Sequence, residues 1–361
     1  MTPFSFPVLQ CDMEEIFLRS KDWADFKDKT ILITGAYGMI ASYLTLYFIW
    51  LNEEHHQNIT IIAAVRSEEK ARNRFGDFCS RDYFHFYTDD IAKQFVWNGQ
   101  IDFIIHAAGI ADPKQYGVYP AEVAEAKAIG TYQLLRWAQR YPIKSFLLFS
   151  SGDVYGKMVQ AESITEDMMG VTDPLDIHSC YGESTRMAET WCMSFAKEYN
   201  IETKIARICH TYSPFVDIEN DPRVFSSFVR CLVEGEDIEI LSDGTARRPF
   251  CYITDAVVAF LLVLIKGDSG EAYNVSNEDQ FLTVLELAET IASLSDRPTR
   301  VIIRGKRTDG YLENVDNHAN CPISAKLQRL GWTHEVSVRD GFHRVVQYIQ
   351  DGAKMRDVTM S

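Results

Sequence analysis

Thr30-Ile31-Leu32-Ile33-Thr34-Gly35-Ala36-Tyr37-Gly38-Met39-Ile40-Ala41 is the stretch whose reading decides the fold. Five residues rich in β-branched side chains predict a strand. Two glycines three positions apart then permit a tight turn, and an apolar run over residues 43–51 predicts a helix. The spacing G-x-x-G-x-x-A is a variant of the dinucleotide fingerprint. Glycine lets the backbone approach a pyrophosphate closely, and the opening helix offers unpaired N–H groups to its charge. Gly35, Tyr37, Gly38, Met39 and Ile40 are the candidate cofactor residues of this loop.

Outward from the loop, short β-branched runs at 60–65, 102–106, 145–150 and 203–208 alternate with amphipathic helical stretches. This rhythm predicts an α/β fold, a Rossmann doubly wound parallel sheet with a smaller, interleaved C-terminal substrate domain. After Thr211 the pattern loosens around Pro214 and Pro222. A helix at 224–233, a strand at 238–241, a strand and helix at 250–265, and helices at 281–294 and 338–348 are expected beyond it. The division that follows is an N-terminal helical arm (1–28), a dinucleotide-binding domain (29–210 and 249–272) and a smaller second domain (211–248 and 273–355), which the resemblance described below makes a nucleotide-sugar binding domain. Phe17, Trp23 and Phe26 of the arm are expected to pack on the body.

Several strand ends carry residues suited to a dinucleotide. Asp90 and Ile91 follow the third strand and could hold an adenine edge. His106-Ala107-Ala108-Gly109 ends the fourth with small residues that let a ligand lie against the backbone. The second strand ends in Val65-Arg66-Ser67, where an NAD enzyme usually has an acid for the ribose hydroxyls. Arg66, with Lys70 or Arg72, suits a 2′-phosphate and favours NADP(H); a solvated Arg66, or one stacked on adenine, leaves NAD open.

Composition narrows the function classes. The chain has 361 residues, 46% hydrophobic and 24% charged, enough for about two domains. A net charge of −15 argues against nucleic acid as a partner. The longest apolar runs, 43–51 and 256–265, fall short of the roughly 20 residues that span a bilayer, so no membrane partner is expected. Asp12, Glu14 and Glu15 stand where a secretory signal would be basic, and the eight cysteines form no Cys-x-x-Cys pair. Both features favour a cytoplasmic protein with free thiols and no metal site.

The fifth strand runs into Ser150-Ser151-Gly152-Asp153-Val154-Tyr155-Gly156, and a helix opens about 25 residues later at Tyr181-Gly182-Glu183-Ser184-Thr185-Arg186. A phenol at the start of a helix and a hydroxyl at the end of the neighbouring strand can converge on one sugar carbon. Tyr181 would remove the hydroxyl proton and Ser151 would hydrogen-bond the same oxygen, while a nicotinamide takes the hydride.

With these motifs in order, the chain resembles the extended short-chain dehydrogenase/reductase family of nucleotide-sugar epimerases, dehydratases and decarboxylases. Further segments carry the resemblance: Ile129-Gly130-Thr131, Arg248-Pro249-Phe250-Cys251-Tyr252 and Tyr273-Asn274-Val275-Ser276. Residues 111–116, Ala188-Glu189-Thr190 and residues 221–225 make it most similar to the UDP-glucuronate decarboxylase branch. The resemblance implies a retained NAD(P), a nucleotide-diphosphate sugar as partner, and a homodimer formed through a helix bundle. It also implies diphosphate contacts from Arg248 and Arg223.

The same resemblance exposes departures. The family has lysine four residues after the tyrosine, on the same helical face, and here that residue is Thr185. A unit charge at ~4 Å contributes about 4 kcal/mol at an effective dielectric near ~20, enough to move a phenol toward working pH. Where the family places asparagine before its Gly-Thr, this chain has Lys127, which is expected to bring the missing cation from another helix; Arg186 is a second candidate. Dehydratases follow the hydroxyl residue with Asp and Glu, and here the pair is Gly152 and Asp153. That disfavours loss of water and leaves Asp153 as auxiliary acid-base. His210 and Ser213 replace the usual Asn and Gly, which bears on the substrate contacts of His210.

The expected function is oxidation at sugar C4 followed by decarboxylation or epimerisation. An NADPH-consuming keto-sugar reductase, favoured by Arg66, and a catalytically silent nucleotide-sugar binding protein, favoured by Thr185, are the alternatives.

Overall fold

The computed structural model describes residues 3–20, 23–158, 163–305 and 321–360. Seven strands form one sheet: β1 (Thr30–Thr34), β2 (Thr60–Ala64), β3 (Phe84–Tyr87), β4 (Phe103–His106), β5 (Ser145–Ser151), β6 (Thr203–Ile208) and β7 (Glu271–Val275). They pair in parallel in the order β7-β6-β5-β4-β1-β2-β3. The chain leaves β1 toward β2 and β3, then returns to the other side of β1 with β4. A crevice opens where the direction reverses, at the C-terminal ends of β1 and β4.

Both sheet faces are covered, which explains the continuous apolar runs. The helices α1 (Pro7–Arg19), α2 (Met39–His55), α3 (Gly130–Ala138), α4 (Cys180–Tyr199), α5 (Val224–Glu234) and α6 (Ile253–Lys266) include two that are apolar almost all round. These are α2 and α6, and both are sandwiched inside the body. Among the described residues no helix is long and apolar enough to cross a membrane.

Two expectations are corrected. The division at 272/273 falls inside β7, because Tyr273, Asn274 and Val275 pair in register with Ala206, Arg207 and Ile208 of β6 and close the sheet. The helix expected over 281–294 starts later. Phe281–Thr283 pairs antiparallel with Arg247–Pro249, and Thr283 then caps the helix Val284–Ala292 through a reciprocal capping box with Glu286.

The N-terminal arm is keyed into the body. Phe17 meets Trp50 edge-on with centroids 5.4 Å apart and stacks on His55 at 4.0 Å, while Phe26 meets Phe48 and Phe103. The side chain of Trp23 lies outside the described residues. Asp12, fully buried, accepts hydrogen bonds from the hydroxyls of Tyr43 on α2 and Tyr252, each 2.7 Å, and an ion pair from Arg344 at 2.7 Å. Arg344 belongs to the C-terminal helix Val338–Met360. One carboxylate thus ties α1, the cofactor-loop helix and the C-terminal helix together.

Candidate active site

The glycine loop closes on the end of β4. Gly35 has φ +65°, and a Cβ there would come within 3.0 Å of the Ala108 Cα, so only glycine fits. Thr34 locks the two strand ends: its Oγ1 is hydrogen-bonded to His106 Nδ1 at 2.7 Å and accepts the Ala108 N–H at 3.0 Å. No side chain caps α2 at Gly38, which leaves its first-turn N–H groups, from Met39 and Ile40 onward, open to an anion. These features fit a dinucleotide lying across the β1–β4 crevice, beside Tyr37, Ala107, Ala108 and Gly109.

The flanking residues are placed as follows. Ile91 packs under Gly130, where a Cβ would stand 3.3 Å from the Ile91 Cδ1. Asp90 is exposed and its Oδ1 accepts the Ala92 N–H at 2.9 Å, which shapes the turn after β3. Arg66 is exposed at the end of β2, and among the described residues no carboxylate pairs with it. Arg72 is drawn off to Glu68 of its own helix.

The chemistry gathers at the ends of β5 and the start of α4. The Ser151 side chain accepts the Asp153 N–H at 3.2 Å and hydrogen-bonds the Tyr181 phenol. Gly182 lets the first turn of α4 approach this loop, since a Cβ there would sit 3.3 Å from the Asp153 carbonyl oxygen. Tyr116 stacks on the Tyr181 ring, centroids 5.2 Å apart and planes 11° from parallel. The sequence reading did not give Tyr116 and Gly182 roles; the Tyr-Gly pair at a helix start was the available signal for Gly182.

Burial and the charge of Asp153 push the Tyr181 phenol above its ordinary value, and the Ser151 hydrogen bond pulls it down. Neither Lys127 nor Arg186 contributes to that balance. Arg186 is committed elsewhere: Nε donates to the Val154 carbonyl at 2.7 Å, Nη1 to Thr172 at 3.2 Å, and Glu183 pairs with it at 3.3 Å. Thr185 is fully buried and its hydroxyl donates to the Tyr181 carbonyl at 2.7 Å, one turn back.

Lys127 sits inside, 3% exposed, on a π-helical turn (Glu125–Ile129) that leads into α3. Its Nζ donates to the Phe149 carbonyl of β5 at 2.8 Å. Among the described residues no carboxylate pairs with it, and burial holds the ammonium down to about 8.

A charged cluster faces Tyr181 across the cleft. Asp153 is open to the cleft but walled by protein on its other sides, which raises its carboxyl, while Arg248 draws it down. His210 has a left-handed backbone (φ 40°). Its imidazole is held down to about 3, chiefly by burial, then by the charges of Arg248 and Arg223. Arg223 is paired with Asp221 and reaches the Met39 sulfur at 3.3 Å, so it bridges toward the cofactor loop. A Cβ at Gly152 would stand 3.3 Å from the Cys209 Sγ, so this position carries no acid and little room for one.

A model described as the NAD dependent epimerase/dehydratase family matches residues 31–276. The chain belongs to that family. It is 31% identical over 318 residues to UDP-glucuronic acid decarboxylase 6 of Arabidopsis thaliana, covering 86% of each chain. It is 28% identical to UDP-glucuronic acid decarboxylase 1 of Danio rerio, over 92% of this chain and 74% of that one. Among solved structures, UDP-glucose 4-epimerase of Thermotoga maritima superimposes with a TM-score of 0.75 at 22% identity, covering 90% and 99% of the two chains. UDP-glucuronic acid 4-epimerase of Bacillus cereus, in complex with NAD, gives a TM-score of 0.71 at 21% identity, covering 89% and 96%. The family is described as NAD dependent, and in this chain the glycine loop and the segment Ala107-Ala108-Gly109 meet at the crevice of β1 and β4.

Proposed function

We propose that this family member oxidises C4 of a nucleotide-diphosphate sugar and then decarboxylates or epimerises the keto intermediate, with UDP-glucuronate as the first substrate to try. The observation that carries this reading is the convergence of Tyr181, Ser151 and Asp153 at the mouth of the dinucleotide crevice. The 31% identity to a UDP-glucuronic acid decarboxylase supports the substrate class.

A nicotinamide dinucleotide, when bound, supplies a reversible hydride acceptor. In its phenolate form Tyr181 takes the proton of the C4 hydroxyl, and Ser151 donates a hydrogen bond to the same oxygen as it becomes a carbonyl. In the resulting β-keto acid the bond from C5 to the carboxyl breaks and carbon dioxide leaves, its electron pair passing into an enolate. Asp153, whose raised carboxyl keeps its proton more readily than a free one, gives that proton to C5 and regains one from solvent. Tyr181 then gives its proton back to the C4 oxygen, which would restore the alcohol once a bound dinucleotide had supplied the reverse of its chemistry. Gly152 offers no acid for a leaving C6 hydroxyl, which sets 4,6-dehydration aside. Arg248, Arg223 and His210 line the side of the cleft assigned to the diphosphate. The exposed Ile129, Met187, Met193 and Tyr199 near or on α3 and α4 suit a second copy of the chain packed there.

The test is incubation of the purified protein with UDP-glucuronate, together with mass spectrometry of the cofactor that copurifies. Carbon dioxide or a C4 epimer with no net NADH is the expected result, and Tyr181→Phe should cut turnover about 100-fold or more. Stoichiometric release of NADP⁺ would instead support a reductase, the reading that exposed Arg66 favours. Binding of the sugar nucleotide with no turnover would support a silent binding protein.

A further inference from the structure

We propose that Lys127 is the cation of the cofactor cleft in place of the lysine this family carries at position 185, delivered from the neighbouring helix by a π-helical turn. The inference rests on the functional reading above and adds to it the residue that serves the dinucleotide.

Lys127 is placed between the ends of two strands that wall the crevice. A Cβ at Gly109, just past β4, would stand 3.0 Å from the Lys127 Nζ and 2.9 Å from its Cε, so glycine there makes room for the lysine. On the other side its Nζ donates to the Phe149 carbonyl, two residues before Ser151. The π turn Glu125–Ile129 holds one more residue per turn than an α-helix, which shifts the face that position 127 presents. Solvent is therefore not the destination of this side chain.

Its partners are too few for a structural ion. A buried ammonium has three donors and needs compensating charge. One neutral carbonyl answers one donor, and the other groups beside it are the Cys192 thiol and the His106 imidazole, whose own proton its charge disfavours, so neither is a countercharge. Position 185 holds instead a buried hydroxyl that turns back onto its own helix. Position 127 thus carries a buried cation while the buried residue at 185 carries none. Its Nζ lies beside Gly109 at the end of β4, so its spare N–H donors are on the cofactor side, where they would meet ribose hydroxyls or neighbouring oxygens.

The experiment compares wild type, Lys127→Met, and the double variant Lys127→Asn with Thr185→Lys, using NADH and NADPH fluorescence titration, turnover of UDP-glucuronate, and thermal unfolding. Lys127→Met should weaken dinucleotide binding by about tenfold and turnover by about 100-fold without lowering the unfolding temperature. The double variant should recover at least about a tenth of wild-type turnover, and it decides the matter if Lys127→Met does not fold. Unchanged dinucleotide affinity in Lys127→Met, or no recovery in the folded double variant, overturns the proposal. If wild type binds dinucleotide and Lys127→Met binds it more weakly, but neither acts on UDP-glucuronate, the lysine stands and the substrate reading falls. A wild type that binds neither dinucleotide sinks both.

Discussion

Asp12 and Lys127 are each almost completely withdrawn from water, yet they are treated in opposite ways. Asp12 receives two phenolic hydroxyls and a guanidinium, drawn from three separate parts of the chain. Lys127 receives one backbone carbonyl and no countercharge. Burial dominates in both: it lifts Asp12 to about 6 and holds Lys127 down to about 8. The contrast teaches what each charge is for. A buried charge with three donors around it fastens elements of the fold together, whereas one with a single neutral partner fastens little, and in a cleft it is a candidate for function.

The largest effect that would sharpen this contrast is at Asp12. Asp12→Ala strands the Tyr43 and Tyr252 hydroxyls and takes one partner from Arg344, and should destabilise the fold by about 3–5 kcal/mol, read from the urea midpoint. Lys127→Met removes an uncompensated charge and should stabilise by about 1–3 kcal/mol at neutral pH. A loss of stability there comparable to that of Asp12→Ala would break the comparison.

The pH dependence gives a smaller and signed version of the same test. A carboxyl raised in the fold loses its proton later than in the unfolded chain, so the Asp12 contribution falls as pH rises from 3.8 to about 6. An ammonium held down loses its proton earlier, so the Lys127 contribution rises between about 8 and 10.5. Urea midpoints across pH should therefore lose the acidic-side slope in Asp12→Asn and the alkaline-side slope in Lys127→Met. The smallest expected change is Tyr43→Phe, which removes one of three donors to Asp12 and should cost about 1–2 kcal/mol in the same measurement.

Much of the molecule was legible in the residue order because local rules and burial agree. The β-branched runs became sheet strands within a residue or so of their expected bounds, and the Gly35 turn has the backbone its spacing demands. The tie between Thr34 and Ala108 and the stacking of Tyr116 on Tyr181 were not legible. Each joins residues more than 60 positions apart through contacts no periodicity encodes. The start of the helix at Val284 was missed because the preceding residues were recruited as a strand by Arg247–Pro249, a non-local pairing that overrode the amphipathic pattern.

By itself the amino-acid order determined the α/β class, the glycine loop and the Tyr181 and Ser151 pair, since these are written in types and spacings, while the resemblance to the family marked Thr185 as a departure. Only the tertiary structure decided that Lys127 points inward, that Thr185 satisfies itself, and that Arg186 is engaged elsewhere. The physical reason is that the direction of a side chain depends on which elements pack around it. One π-helical turn and one missing Cβ at Gly109 separate a buried cation from a solvated one.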